Sequence, residues 1–180
     1  KKIAEAAGKR DEAESFIAGS LKRVVPSVKD HIFRFLHDRK AVIQADPYMA
    51  DGMLSLLDEC GISSAKTMIL GEKTGLPEAV LKRLEEKSAV FEPTISESGD
   101  IFPEKEDFDI LMAPSLFPRF PRIASWIPFG YPNYFSHPVN PAPFLGYDGF
   151  IWWIERLTEA AQGRDTRAGG AAFRDFSGKD

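Results

Sequence analysis

The side chains in this sequence that could do chemistry are few: three histidines, one cysteine and a small set of closely spaced carboxylates. His137 is the most suggestive. It lies in the run Gly130–Gly149, GYPNYFSHPVNPAPFLGYDG, whose four prolines, three glycines and aromatic rings read as a structured loop and not a linker. Imidazole is a borderline ligand for iron and other transition metals, but one histidine makes a weak site unless another segment supplies partners. None is evident in this chain. His31 and His37 stand beside Asp30 and Asp38 on a long helical stretch, where a surface or interhelical role is expected. Cys60 ends the apolar run Met53–Cys60 and reads as a small buried hydrophobe. A single cysteine allows neither an internal disulfide nor a thiolate metal cage within one chain, and it suits a reducing, cytosolic compartment. Asp107 and Asp109 flank the start of a strand, as solvated or strand-capping groups more than as an acid/base pair. Gly71-Glu72-Lys73-Thr74-Gly75 follows a strand but fits neither the P-loop nor the dinucleotide-binding glycine spacing, so it reads as a tight turn. No G-x-S-x-G elbow supports a hydrolase serine.

These groups must be held by elements that alternate. From about Asp11 to Asp38, apolar residues recur at three- and four-residue steps, marking a long amphipathic helix that Pro26 is expected to kink or divide. Its stripe exceeds what one small sheet covers, so the spare surface is expected to pack against another part of a larger protein. Strands are predicted at Ala41–Ala45, Thr67–Gly71, Ala89–Glu92 and Asp109–Ala113, with a shorter peripheral one at Trp126–Phe129, where Pro128 removes a donor. Helices are predicted from Asp46-Pro47 to Glu59, closed by Gly61, then from Pro77 to Glu86, and from Phe150 to about Gln162. Such alternation predicts a Rossmann-like three-layer α/β/α sandwich, a mostly parallel sheet of four to five strands preceded by a long helix. Right-handed crossovers make 3-2-1-4-5 the simplest strand order. A ligand would then bind beyond the carboxyl edge between strands one and four, near Asp46-Pro47, Ala113-Pro114-Ser115 and the loop after Phe129.

The expected organisation is a helical lead-in over 1–38, a Rossmann-like subdomain over 39–162 and a flexible tail over 163–180. At 180 residues the chain suits one core. A formal charge of -4 argues against a nucleic-acid surface, and no apolar run is long enough to span a membrane. The start, Lys1-Lys2-Ile3-Ala4-Glu5, already reads as helix and lacks a signal-peptide core. The chain is therefore expected to be a piece of a longer protein.

The C-terminal block resembles the nitrogenase component 1 family. The resemblance is carried by Ile127-Pro128-Phe129, then Ser136-His137, then Gly146-Tyr147-Asp148-Gly149-Phe150 leading into a helix. In the α subunit of that family an I-P-F segment, a cofactor-ligating histidine and a G-Y-D-G-F helix start occur in the same order. The resemblance implies an oxidoreductase fragment, inert alone, with His137 as its candidate cofactor-binding and metal-ligating residue. It implies an iron–sulfur cluster or metal cofactor in the full-length protein, with ligands mostly outside this chain and none held by the fragment itself. It also implies a related component 1 subunit and an ATP-dependent iron–sulfur reductase as partners, with no nucleic acid and no membrane. More residues separate Ile127 from His137 than in nitrogenase proper, which implies a nitrogenase-like relative. Two other readings stay open: a metal, tetrapyrrole or small-solute binding module of related fold, and a scaffold docking through its long helix and its Trp-bearing helix.

Overall fold

The structure, a computed structural model, describes residues 2–92, 108–114, 125–130 and 145–162. A short helix α1 (Lys2–Ala6) leads into the long α2 (Arg10–His31). Pro26 lies inside α2 without dividing it. A proline forfeits one backbone bond, and here Val24 and Val28, on either side of it, are buried against the core. The irregularity comes later, at Ile32–Leu36, where the chain takes a π-helical turn and His37 N–H donates to the Ile32 carbonyl at 2.9 Å. Strand β1 (Lys40–Ala45), α3 (Pro47–Glu59), β2 (Ser63–Leu70), α4 (Glu78–Glu86), β3 (Val90–Glu92), β4 (Ile110–Ala113), β5 (Trp126–Pro128) and α5 (Gly146–Ala161) follow.

The five strands form one parallel sheet in the order β3-β2-β1-β4-β5. This is the order expected from right-handed crossovers, and Pro128 falls on an edge strand as its missing N–H requires. Alternation along β1 and β4 separates two faces. Ala41, Ile43, Ala45, Ile110 and Met112 join the main core with residues of α2, α3, α4 and α5. Val42, Leu111 and Ala113 join Met68 in a smaller cluster on the opposite face, flanked by Phe108 and Trp126. Leu36, Ile43, Leu54, Leu57 and Leu111 are essentially fully buried, each contributing about 1.5–3 kcal/mol relative to exposure.

Two helix ends differ in kind. Asp46 caps α3, its Oδ1 accepting from Tyr48 and Met49 N–H, each at 3.1 Å. The far end of α3 closes at Cys60, and Gly61 takes φ +70. A Cβ at Gly61 would stand 2.9 Å from the His37 ring, so the turn needs glycine for both its backbone and its space. Helix α5 begins at Gly146, four residues before the expected Phe150, and Asp148 lies in its first turn instead of capping it. Asp148 instead accepts from Arg23 Nη2 at 2.8 Å, tying the start of α5 to α2. A 3.6-residue pattern read from Phe150 onward leaves out this polar first turn, because glycine and aspartate read locally as turn formers. The expected tail, 163–180, lies outside the described residues.

Candidate functional site at the carboxyl edge of the sheet

The strand order reverses between β1 and β4, which makes their carboxyl edge the place where an open α/β sheet ordinarily takes a ligand. The backbone there is closely packed. Phe129 N–H donates to the Ala113 carbonyl at 2.9 Å, carrying the β4–β5 ladder past the end of the strand. Gly130 follows with φ +87, and a Cβ on it would meet Pro114 Cγ at 3.4 Å and Ala45 Cα at 3.7 Å. The ends of β1, β4 and β5 therefore converge where only glycine fits without strain. The N-terminus of α3 also sits at this edge, but Asp46 already occupies its free donors.

One side chain at this edge lacks a partner. Gln44, the penultimate residue of β1, is fully buried, and neither its Oε1 nor its Nε2 has a hydrogen-bond partner. It shares a face with Val42, pairs in register with Met68, and stands beside the apolar cluster that includes Ala113. Sequence reasoning missed it. The available signal was one amide inside the apolar run Ala41–Ala45, since a buried polar side chain without a partner is uncommon.

The residues singled out in the sequence do not gather at one place. His137, Ser136, Ser115 and Asp107 lie outside the described residues. His31 packs its ring 6.1 Å from that of Phe35, and His37 Nδ1 meets the exposed Asp38 carboxylate at 2.9 Å. Neither stands at the carboxyl edge. Cys60 is buried and its thiol is pushed up to about 12, mainly by burial and further by Glu59, which disfavours the free thiolate at neutral pH. Asp109 is structural: it accepts from Arg39 Nη1 at 2.8 Å and from Lys40 N–H at 2.9 Å. Lys73, in the Gly71–Gly75 turn, is held by Glu85 at 3.0 Å and lies over the Phe91 ring, which suits the tight-turn reading. Among the described residues, no group of three or more His, Cys, Asp or Glu could hold a metal ion. An apolar groove of about 750 Å³ runs between α2, the Cys60–Gly61 turn and the start of α5. Its His37 and Cys60–Gly61 walls immediately precede β1 and β2, at the amino edge of the sheet, so it is separate from the carboxyl edge.

A family model described as nitrogenase component 1 type oxidoreductase matches residues 1–162. The chain belongs to that family. The fold agrees: a solved chain described as "Nitrogenase Cp1 at pH 6.5" superposes with a TM-score of 0.64 at 18% identity, over 89% of this chain. This chain spans 36% of the length of that one, about a third of it. A search of curated proteins found no match. Among the described residues no helix is long and apolar enough to cross a membrane.

Proposed function

We propose that this chain is one subdomain of a nitrogenase-like component 1 oxidoreductase subunit, and that its carboxyl edge forms one wall of a buried site in the complete protein. The observation that carries this reading is the family match over residues 1–162, set on a sheet whose order reverses between β1 and β4. In this reading the complete protein is cytoplasmic and pairs with a related component 1 subunit. It takes electrons from an ATP-dependent iron–sulfur reductase, and the fragment alone is inert.

Most of the cluster's thiolate ligands must come from elsewhere in that protein, because a cluster needs several cysteines and this chain has one, the buried Cys60. The donor this chain would offer is His137, whose neutral imidazole suits a metal cofactor. An iron–sulfur or metal cofactor, when bound, would supply the electron transfer. The described residues would exclude water along the apolar Val42–Leu111–Ala113 face and present the Gln44 amide.

The test is anaerobic expression of the complete subunit with its partner, followed by iron and acid-labile sulfide analysis and EPR. Stoichiometric cluster signals are expected, with His137→Ala losing cofactor iron while the subunits still assemble. Unchanged iron in His137→Ala would remove that ligand assignment. A well-folded complex without iron or sulfide would favour a metal, tetrapyrrole or small-solute binding module.

A further inference from the structure

The proposed site makes no use of the apolar groove of about 750 Å³ at the opposite edge of the sheet. Leu21, Val25, Ile32, Phe33, Tyr147 and Phe150 wall it. Phe33 is 77% exposed and Val25 50%, so large apolar side chains meet water along one face, as on a surface that something covers. Clefts of roughly 300–1,000 Å³ take drug-sized groups, so two phenyl rings fit here.

The rim has a charge pattern of its own. Helix α3 ends beside the groove with Asp58 and Glu59, and it has no basic residue in its last turn. Carboxylates at that end oppose the helix dipole, which favours a cation there. Lys87 supplies one to Asp58, but among the described residues Glu59 forms no ion pair. The occupant that suits this groove is apolar in its body and cationic where it passes Glu59.

Residues 163–180 follow α5, outside the described residues and beyond the family match, which ends at 162. They carry four basic residues and three acidic ones, in a chain whose formal charge is -4. Their only large apolar side chains are Phe173 and Phe176, with Arg174 between them. Their point of departure is close to the groove. Ser125 Oγ donates to the Ala160 carbonyl at 2.6 Å, which sets the last turn of α5 at the amino end of β5. The His37 and Gly61 walls of the groove stand at the amino ends of β1 and β2. Strand β5 is two places from β1 and three from β2. At ~4.8 Å per strand that gap is on the order of 10–15 Å, whereas the run from Gly163 to Phe173 extends to ~36 Å. A tether this short holds its end at an effective concentration in the millimolar range. A contact too weak to capture a second copy at micromolar concentration is then strong enough to fill the groove.

We infer that residues 173–176 of this chain dock in the groove, with Phe173 and Phe176 against Val25, Ile32 and Phe33 and with Arg174 facing Glu59. Three residues apart, the two rings share one side of a helical turn, which leaves Arg174 at the rim. Lys29, also on the groove wall, is the counter-charge for Asp175. The inference does not depend on the oxidoreductase reading.

The experiment uses the full 180-residue chain with labelled methyl groups. Replacing both rings, Phe173→Ser with Phe176→Ser, is expected to shift the methyl resonances of Val25, Val28 and Ile32 and to leave those of Leu84 and Ile110 in place. Trypsin is expected to cut after Arg174 about tenfold more slowly in the wild type than in Glu59→Lys, as for a segment docked about nine-tenths of the time. Glu59 is exposed, so its replacement keeps the fold and leaves the cleaved sequence unaltered. Adding Arg174→Glu to Glu59→Lys is expected to restore the wild-type methyl positions. Unchanged groove methyls in the double-serine variant would leave the groove to another part of a longer chain, and would overturn the inference. So would equal cleavage in the wild type and Glu59→Lys. Wild-type groove shifts that grow with protein concentration would place a second copy there and overturn it too. No readout involves iron or sulfide, so failure here is distinguishable from failure of the oxidoreductase reading.

Discussion

The two ends of the sheet are built on opposite principles. At the amino end the described polar groups of Arg39 and Asp109 are tied down. Arg39 bonds Asp109 at 2.8 Å and the Phe35 carbonyl at 3.2 Å, while the second oxygen of Asp109 takes the Lys40 N–H. At the carboxyl end the backbone crowds around Gly130, and Gln44 is left without a partner. The amino end has the chemistry of a structural clasp. The carboxyl end leaves a buried amide unpaired, at a cost in stability. This asymmetry separates a clasp that holds the fold from the edge proposed as one wall of the site, and it can be broken experimentally.

The largest effect is expected at the clasp. Asp109→Ala removes the Arg39 contact and strands the Lys40 N–H, at a cost of about 2 kcal/mol. Urea unfolding of this chain measures it, and Asp109→Asn should recover part of the loss. In the complete protein, Asp109→Ala should leave the iron content per folded subunit unchanged; a specific loss of iron would mean that the clasp also serves the site. Gly130→Ala should cost about 1–2 kcal/mol, because an L-residue at φ +87 is strained and its Cβ presses on Pro114. Differential scanning calorimetry would detect it, and an unchanged melting temperature would show that the carboxyl edge is not tightly packed. Asp46→Ala, which uncaps α3, should cost ~1 kcal/mol, with Asp46→Asn nearly neutral. The Arg23–Asp148 pair joins two exposed side chains, so Arg23→Ala should change stability by less than ~1 kcal/mol.

Cys60 supplies a pH test of a different kind. Its thiol is raised from an ordinary 9.0 to about 12 by burial. Between those values the unfolded chain loses the proton and the folded chain keeps it. Stability should therefore fall as pH rises from about 9 towards about 12, and Cys60→Ala should flatten that part of the curve. Denaturant titrations at several alkaline pH values check the slope. An equally steep fall in Cys60→Ala would assign it to other groups.

Much of the architecture was legible from local chemistry. Apolar runs such as Ala41–Ala45 and Asp109–Ala113 declared strands buried on both faces, and Asp46-Pro47 and Gly61 marked the two ends of α3. With right-handed crossovers as the only further rule, the strand order follows. Where the local reading failed, a tertiary contact had overridden it. Pro26 stays inside α2 because Val24 and Val28 are anchored in the core. The α5 helix absorbs Gly146 and Gly149 because Arg23 holds Asp148 and Trp153 packs edge-on against Phe129, with ring centroids 5.5 Å apart.

The candidate site was less legible. His137 was singled out by its loop and by resemblance, and it lies outside the described residues. Gln44 drew no notice in the sequence, because a glutamine within a strand looks the same whether water, a neighbour or nothing satisfies it. By itself the sequence determined the elements, their order and the family, since all three depend on periodicity, turn chemistry and motif. The sequence also read Cys60 as a small buried hydrophobe and Asp109 as solvated or strand-capping. Only the tertiary structure decided that Asp109 clasps Arg39 and the Lys40 N–H and that Gln44 is an orphan. Each of those properties depends on what stands within hydrogen-bonding distance in space, and neighbours in space are not neighbours in the chain.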